Sequence, residues 1–281
     1  MAKTIAIQGG YGAFHEIAAH HYFENEEIRI LPRNTFRDIV SSVQDRKSDY
    51  GIMAIENSLA GSIIPNYNLI INTKMHIIGE VYLRIKQNLV AMPGVKISEL
   101  KEVYSHPMAI LQCQDYFDTH PEIRLIESID TAISAEEIAE GRLMDTGAIA
   151  SRLAAEKNGL EILAESIETN KMNYTRFLIL SENGESIPTE EVNKASLYFT
   201  VAHKFGSLSK IISILSYYEI NLAKIQSMPI PGKDWEYMFF VDVEINDYDM
   251  YKKSLEAIRP FTPSLGILGE YKNGKSNLNK K

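Results

Sequence analysis

Short apolar runs, each ending in a polar or glycine-containing turn that opens a helix-spaced pattern, constrain this chain more than any other feature. Thr4-Ile-Ala-Ile7 runs into Gln8-Gly-Gly-Tyr-Gly-Ala-Phe-His-Glu16, followed by a helical pattern through Tyr22 and Phe23. Thr35 reads as an N-cap with Asp38 three residues on, and Phe36, Ile39, Val40 and Val43 fall at helical spacing. That helix returns the chain to a strand over 50–55, which ends in Glu56-Asn-Ser-Leu-Ala-Gly-Ser62. Residues 66–73 read as another helix and 76–89 as extended chain. Alternation of this kind builds α/β sheets rather than bundles or sandwiches.

A second βα series follows. Residues 102–105 read as a strand, Pro107 as a favourable first helical residue leading to Phe117, and 124–127 as the next strand. Asp130-Thr131 caps a helix carrying Ala132, Ile133, Ile138 and Ala139, residues 147–150 form a strand, and Ser151 opens a short helix. The chain comes back at 173–180. The expectation is two βα lobes, roughly 1–79 with 171–181 and 80–170, with a ligand cleft between them. Residues 182–194 are polar, contain Gly184 and Pro188, and read as a linker. Residues 195–271 then follow a strand, helix, strand, strand, helix, strand order, the ferredoxin-like split βαβ arrangement. The polar tail, 272–281, is expected to lack fixed structure.

Composition limits the partners. The chain has 281 residues, 45% hydrophobic and 23% charged, which suits one large or two modest soluble domains. A net charge of −8 argues against nucleic acid or an anionic membrane as the main partner. Cys113 is the only cysteine, so no disulfide framework or cysteine-rich metal site is expected, and a reducing compartment fits. The opening apolar run is too short for a signal peptide and no later stretch is long enough to span a membrane, so the expected location is cytoplasmic.

Candidate site residues cluster at the turns. In Asn173-Tyr-Thr-Arg-Phe177, Thr175 and Arg176 place a hydroxyl and a fixed positive charge at the mouth of an apolar strand. A buried guanidinium needs an anionic partner, so Arg176 is either a structural ion pair or an anchor for an anionic ligand. Glu56, Asn57 and Ser58 end a strand where open α/β sheets bind ligands, or else form a capped turn. The glycine turn at Gly10 and Gly12 either gathers N–H groups toward an anion or only makes a tight turn. It is not a dinucleotide fingerprint, since His15 stands where the third glycine belongs. Ser105 and His106 lie at a strand-to-helix junction, His106 as an acid, a base or a structural hydrogen-bonder.

Taken in order, GGYGAFHE, AIENSLAGS, SHPMAILQC, SIDTAISA, GAIAS and NYTRF, followed by an ACT-like module, resemble prephenate dehydratase over nearly the whole chain. The resemblance implies a catalytic domain (1–181) of the two-lobed type II periplasmic-binding-protein kind plus a ferredoxin-like (βαββαβ) ACT domain. It implies conversion of prephenate to phenylpyruvate, CO2 and water, with no cofactor and no metal, feedback inhibition by L-phenylalanine, and a homodimer or homotetramer through the ACT domains. It makes Thr175 the essential hydroxyl, with Glu56 and Arg176 as catalytic partners. Gly12, Ala13, Asn57, Ser58, Ser105, His106, Thr131, Ser151, Asn173 and Phe177 become substrate-binding candidates. The effector segments would be Gly206-Ser207-Leu208 and Gln226-Ser227-Met228-Pro229, the latter standing where the family commonly reads ESRP. Two alternatives stay open: an arogenate dehydratase, and a non-catalytic small-anion sensor on the same fold.

Overall fold

Apolar strands flanked by turn residues assemble three sheets, seen in a computed structural model that describes residues 2–73, 75–184, 187–230, 232–233 and 236–275. The chain divides into two compact units, Met1–Gly61 with Val81–Phe177 and Ser62–Glu80 with Leu178–Lys281. The division falls within strands β5 (His76–Arg84) and β11 (Tyr174–Ser181).

The first sheet contains β1 (Lys3–Gln8), β2 (Ile28–Arg33), β3 (Tyr50–Asn57) and the two-residue β4 (Gly61–Ser62) as well as β5 and β11. Its order is β2-β1-β3-β11-β5, with β4 paired to β3. β1 runs parallel to both β2 and β3. Helices α1 (Phe14–Tyr22), α2 (Phe36–Gln44) and α3 (Ile64–Thr73) connect these strands. The capping box expected at Thr35 and Asp38 is present, each side chain serving the other's backbone. Strand β2 has no counterpart in the sequence expectations. Pro32 and the arginines at 29 and 33 hide it, and the proline is tolerated because β2 is an edge strand.

The second sheet has the order β10-β6-β9-β7-β8, from β6 (Asn88–Ala91), β7 (Glu102–Ser105), β8 (Arg124–Glu127), β9 (Thr146–Ala150) and β10 (Glu161–Ala164). Its helices are α4 (Pro107–Gln112), α5 (Gln114–Phe117), α6 (Thr131–Gly141) and α7 (Arg152–Asn158). Leu89, Val103, Ala109, Cys113, Phe117 and Ile149 form its core. The stretch 108–117, expected as one helix, is two, meeting at Cys113.

The third sheet is β12 (Lys194–Thr200), β13 (Asn221–Pro229), β14 (Tyr237–Glu244) and β15 (Ser264–Tyr271), in the antiparallel order β13-β14-β12-β15. With α8 (Ser207–Tyr217) and α9 (Tyr248–Ile258) it has the expected βαββαβ topology. Leu197, Phe199, Ile211, Leu215, Val241 and Leu255 fill its core.

Compactness groups residues 62–80 with this C-terminal sheet, whereas the sequence linker placed the boundary after residue 181. Tyr67 packs edge-on against Phe240 at 4.4 Å, and Lys194, 1% exposed, pairs with Glu80 through both carboxylate oxygens at 2.9 and 2.8 Å. Of the expected linker, residues 185 and 186 lie outside the described residues; the remainder holds one 3-10 turn, Thr189–Glu191. Of the expected tail, 276–281 lie outside the described residues. The start of the tail departs from expectation: Asn273 N donates to Asn193 Oδ1 at 2.6 Å, Gly274 N to Glu80 Oε1 at 3.1 Å, and Lys275 Nζ to Glu244 Oε1 at 2.8 Å. Among the described residues no helix is long and apolar enough to cross a membrane.

Candidate active site

A polar network joins the end of β3 to the start of β11. Asn57 Oδ1 accepts from the N–H groups of Leu59 and Ala60, both at 2.9 Å, which fixes the orientation of the amide. Its Nδ2 therefore faces inward, donating to Asn173 Oδ1 at 2.7 Å and to Thr175 Oγ1 at 3.0 Å. Asn173, fully buried, passes the chain on by donating from Nδ2 to Gln112 Oε1 at 2.8 Å. Thr175 is 8% exposed and accepts from Asn57, so its own proton is left to point elsewhere.

Ser58 stitches the same two segments. Its N–H donates to Tyr174 O at 2.8 Å, its hydroxyl donates to Met172 O at 2.9 Å, and that hydroxyl accepts from Tyr174 N at 2.9 Å. Both groups expected to hold substrate are thus engaged within the protein. The glycine turn shows the same pattern. Gly12 N donates to Glu16 Oε2 and Gly12 O accepts from Ser151 Oγ, each at 2.6 Å, while Ser151 Oγ also accepts from Ala154 N to cap α7. Gly12 has φ +90°, and a Cβ there would lie 2.4 Å from Ala154 Cα. This glycine is required by the approach of the first lobe to α7, and its N–H is not open to an anion. Lys157 Nζ meets the buried Glu16 at 2.6 Å and closes the contact. Ala13, 2% exposed, is the N-cap residue of α1 and accepts from Glu16 N and Ile17 N.

Strand alternation sorts the remaining residues by face. Phe177 shares Thr175's face and meets the His15 ring edge-on at 5.0 Å. Burial among Phe177 and Phe36 pushes the His15 imidazole down to about 3. Glu56 and Arg176 fall on the opposite face from Asn57 and Thr175. Arg176 is 3% exposed, its guanidinium 5.9 Å from the centre of the Tyr82 ring, so it does not present a fork to solvent.

Other candidates serve the framework. Ser105 is fully buried and donates to Ile149 O at 2.8 Å, holding β7 to β9. His106 caps α4 by accepting from Met108 N at Nδ1, 3.2 Å, which is the structural alternative raised for it. Thr131 is the buried first residue of α6, whose N-cap Asp130 accepts from Ala132 N at 2.8 Å. Gln112 is not among the expected site residues although it stands in the SHPMAILQC motif; its contact with Asn173 is visible only in the fold. Nearby Cys113 is inert, since burial first and the Glu168 charge second push its thiol up to about 12. Among the described residues no cluster of three or more His, Cys, Asp or Glu side chains is placed to hold a metal ion.

In the C-terminal unit Gly206, φ +75°, is the N-cap of α8, and Ser207 is its first residue. A pocket of about 790 Å3 is lined by residues that include Lys204, Phe205, Ser207, Leu208 and Tyr237. Gln226, Ser227, Met228 and Pro229 lie on the edge strand β13 and are not part of that lining.

Residues 5–185 match the family model described as prephenate dehydratase. The chain is 35% identical over 279 residues to arogenate dehydratase/prephenate dehydratase 2, chloroplastic, of Arabidopsis thaliana, covering 95% of this chain and 72% of the relative. Among solved structures it resembles prephenate dehydratase of Arthrobacter aurescens in complex with L-Phe (TM-score 0.87, 26% identity, 97% of this chain and 90% of that one). It also resembles GqqA, described as a novel type of quorum-quenching acylase (TM-score 0.87, 29% identity, 96% of this chain and 98% of that one). With the model matching well over half its length, the chain belongs to the prephenate dehydratase family.

Proposed function

We propose that the chain carries out the reaction for which its family is named, the loss of carbon dioxide and water from prephenate to give phenylpyruvate on the way to L-phenylalanine. The observation that carries the mechanism is the Asn57 Nδ2 to Thr175 Oγ1 hydrogen bond at 3.0 Å. A hydroxyl that accepts from a fixed amide has its proton free to aim at another acceptor, here the departing ring hydroxyl of the substrate. Positioned proton donation contributes typically ~10²–10⁴ in rate. Aromatisation of the ring supplies much of the driving force, so orientation and one proton are the main demands on the protein. Arg176, buried behind the site, stabilises the anionic substrate through low-dielectric surroundings rather than by a direct fork. Glu56, on that same opposite face, sets the local charge.

In this proposal residues 1–181 are the catalytic domain, of two-lobed periplasmic-binding-protein type. Residues 195–271 are an ACT domain that takes L-phenylalanine and pairs with a second copy. The βαββαβ topology, the pocket beside Ser207 and Leu208, and the L-Phe complex of the Arthrobacter relative support this. Because 226–229 stand apart from that pocket, an effector site using both segments needs two chains. The Arabidopsis relative's name favours arogenate as a second substrate.

Incubating the protein with prephenate and with arogenate, and following phenylpyruvate and phenylalanine, tests the reading. Product from prephenate that falls in Thr175→Ala by about 100-fold or more, with KM little changed, supports it. No product from either substrate would sink it and leave the small-anion sensor. L-phenylalanine at millimolar concentration is expected to raise Tm and lower turnover.

A further inference from the structure

We infer that Arg84 is the direct cationic anchor of the active site and binds a carboxylate of the substrate; this rests on the dehydratase reading above. Arg84 is the last residue of β5, and the N–H of the next residue, Ile85, donates to Asn173 O at 2.8 Å. Its backbone therefore abuts the residue through which Asn57 and Gln112 are linked beside Thr175. The side chain is 37% exposed, in contrast to the enclosed Arg176.

Its charge is only loosely used. Among the described residues the one carboxylate in ion-pair range is Glu168, at 3.8 Å, well beyond the 2.7–2.9 Å of a charge-assisted hydrogen bond. Glu168 already has closer donors: Gln87 N reaches Oε2 at 2.9 Å and Ser166 Oγ reaches Oε1 at 2.7 Å. Arg84 Nε is buried with no hydrogen-bond partner. A second cation stands beside it, since Lys171 Nζ donates to the main-chain oxygens of Glu168 and Ser166. Lys171 thus adds a second positive charge next to residue 168 without pairing with its carboxylate, on a protein whose net charge is −8. An arginine side chain 37% exposed, with spare donors, matches a carboxylate in a planar fork, and prephenate brings two.

The competing explanation is that Arg84 only offsets the buried charge of Glu168. Steady-state kinetics on prephenate separate the two, using wild type, Arg84→Gln, Arg84→Lys, Glu168→Gln and the Arg84→Gln/Glu168→Gln double variant, with thermal melts as a folding control. Arg84→Gln is expected to raise KM about tenfold or more while kcat changes by less than about threefold, the mark of lost substrate binding. Arg84→Lys, which keeps the charge without the fork, falls between. The KM rise persists when Arg84→Gln is added to Glu168→Gln. An unmoved KM in Arg84→Gln, or a rise that vanishes in the Glu168→Gln background, overturns the assignment while the dehydratase reading stands. If Arg84→Gln does not fold, an Arg84→Lys variant with wild-type KM overturns it. Absence of turnover by the wild type removes both together.

Discussion

His15 makes the stability of the catalytic unit depend on pH in a way that one substitution isolates. Its ring is buried between Phe36 and Phe177, Nε2 has no hydrogen-bond partner, and burial pushes it from an ordinary 6.5 to about 3. The unfolded chain therefore binds a proton at this residue below about pH 6.5 that the folded chain refuses until about pH 3. Stability from this group is complete above 6.5 and is lost as pH falls through that window. Integrating between the two values gives a loss of about 2 kcal/mol on going from pH 8 to pH 5. His15→Leu removes the titration while keeping an apolar side chain among the aromatic rings. Urea or thermal unfolding of wild type and variant at both pH values then gives a double difference in which the other titrating groups cancel. Wild type is expected to lose about 2 kcal/mol more than the variant, roughly 4–8 °C in Tm for a protein of this size. A double difference under about 0.5 kcal/mol would show that the imidazole is accessible to protons in the folded state, and would refute the argument.

Three further substitutions probe other parts of the structure. Gly12→Ala combines a positive φ with overlap onto the Ala154 backbone, and should cost about 2–4 kcal/mol and collapse Tm, whereas Gly94→Ala, also at positive φ but facing open space, should lose far less. Lys194→Met strands the fully buried Glu80 and should destabilise by about 3–5 kcal/mol, most of it recovered in Lys194→Met/Glu80→Gln, as read by thermal melts. Asn57→Asp replaces the donor to Thr175 and Asn173 by an acceptor, and should lower kcat by up to about 100-fold with unchanged helix content by circular dichroism.

Local rules were legible in the sequence, and long-range pairing was not. The Thr35 capping box, the Asp130 and Ser151 caps and the βαββαβ order follow from spacing and turn chemistry. The motif around Thr175 does fall at the start of strand β11, where the polar residues are hydrogen-bonded, because polar residues at the mouth of an apolar run are costly unless used. What several of the polar groups do depends on partners the sequence does not place beside them, more than 100 residues away for Asn57, Ser58 and Ser151. Gly12 N–H reads as an anion donor until Glu16 and Ser151 are seen to occupy the loop, and Ser58 reads as a substrate ligand until it is found clasping Met172 and Tyr174. Arg176 fits a carboxylate fork in sequence, but strand alternation turns it away from Thr175. Gln112 stands in the SHPMAILQC motif without a role that spacing could assign, and Arg84 lies outside any motif, so only the fold brings out their contacts.

The position of β11 between β3 and β5 also dictates an order of assembly. All five strands of the second sheet lie within residues 88–164, so that lobe is complete in the nascent chain before β11 exists. The first sheet has to wait for a strand that joins Asn57 to Thr175 across 118 residues, a closure that is slow because its entropy is spent before its contacts form. Pulse-labelled hydrogen exchange should find β6 to β9 protected ahead of β3 and β11. On the proposed mechanism, chemistry is thereby withheld until synthesis has passed β11, and a chain cut short before then carries a finished lobe without the strand that holds Thr175.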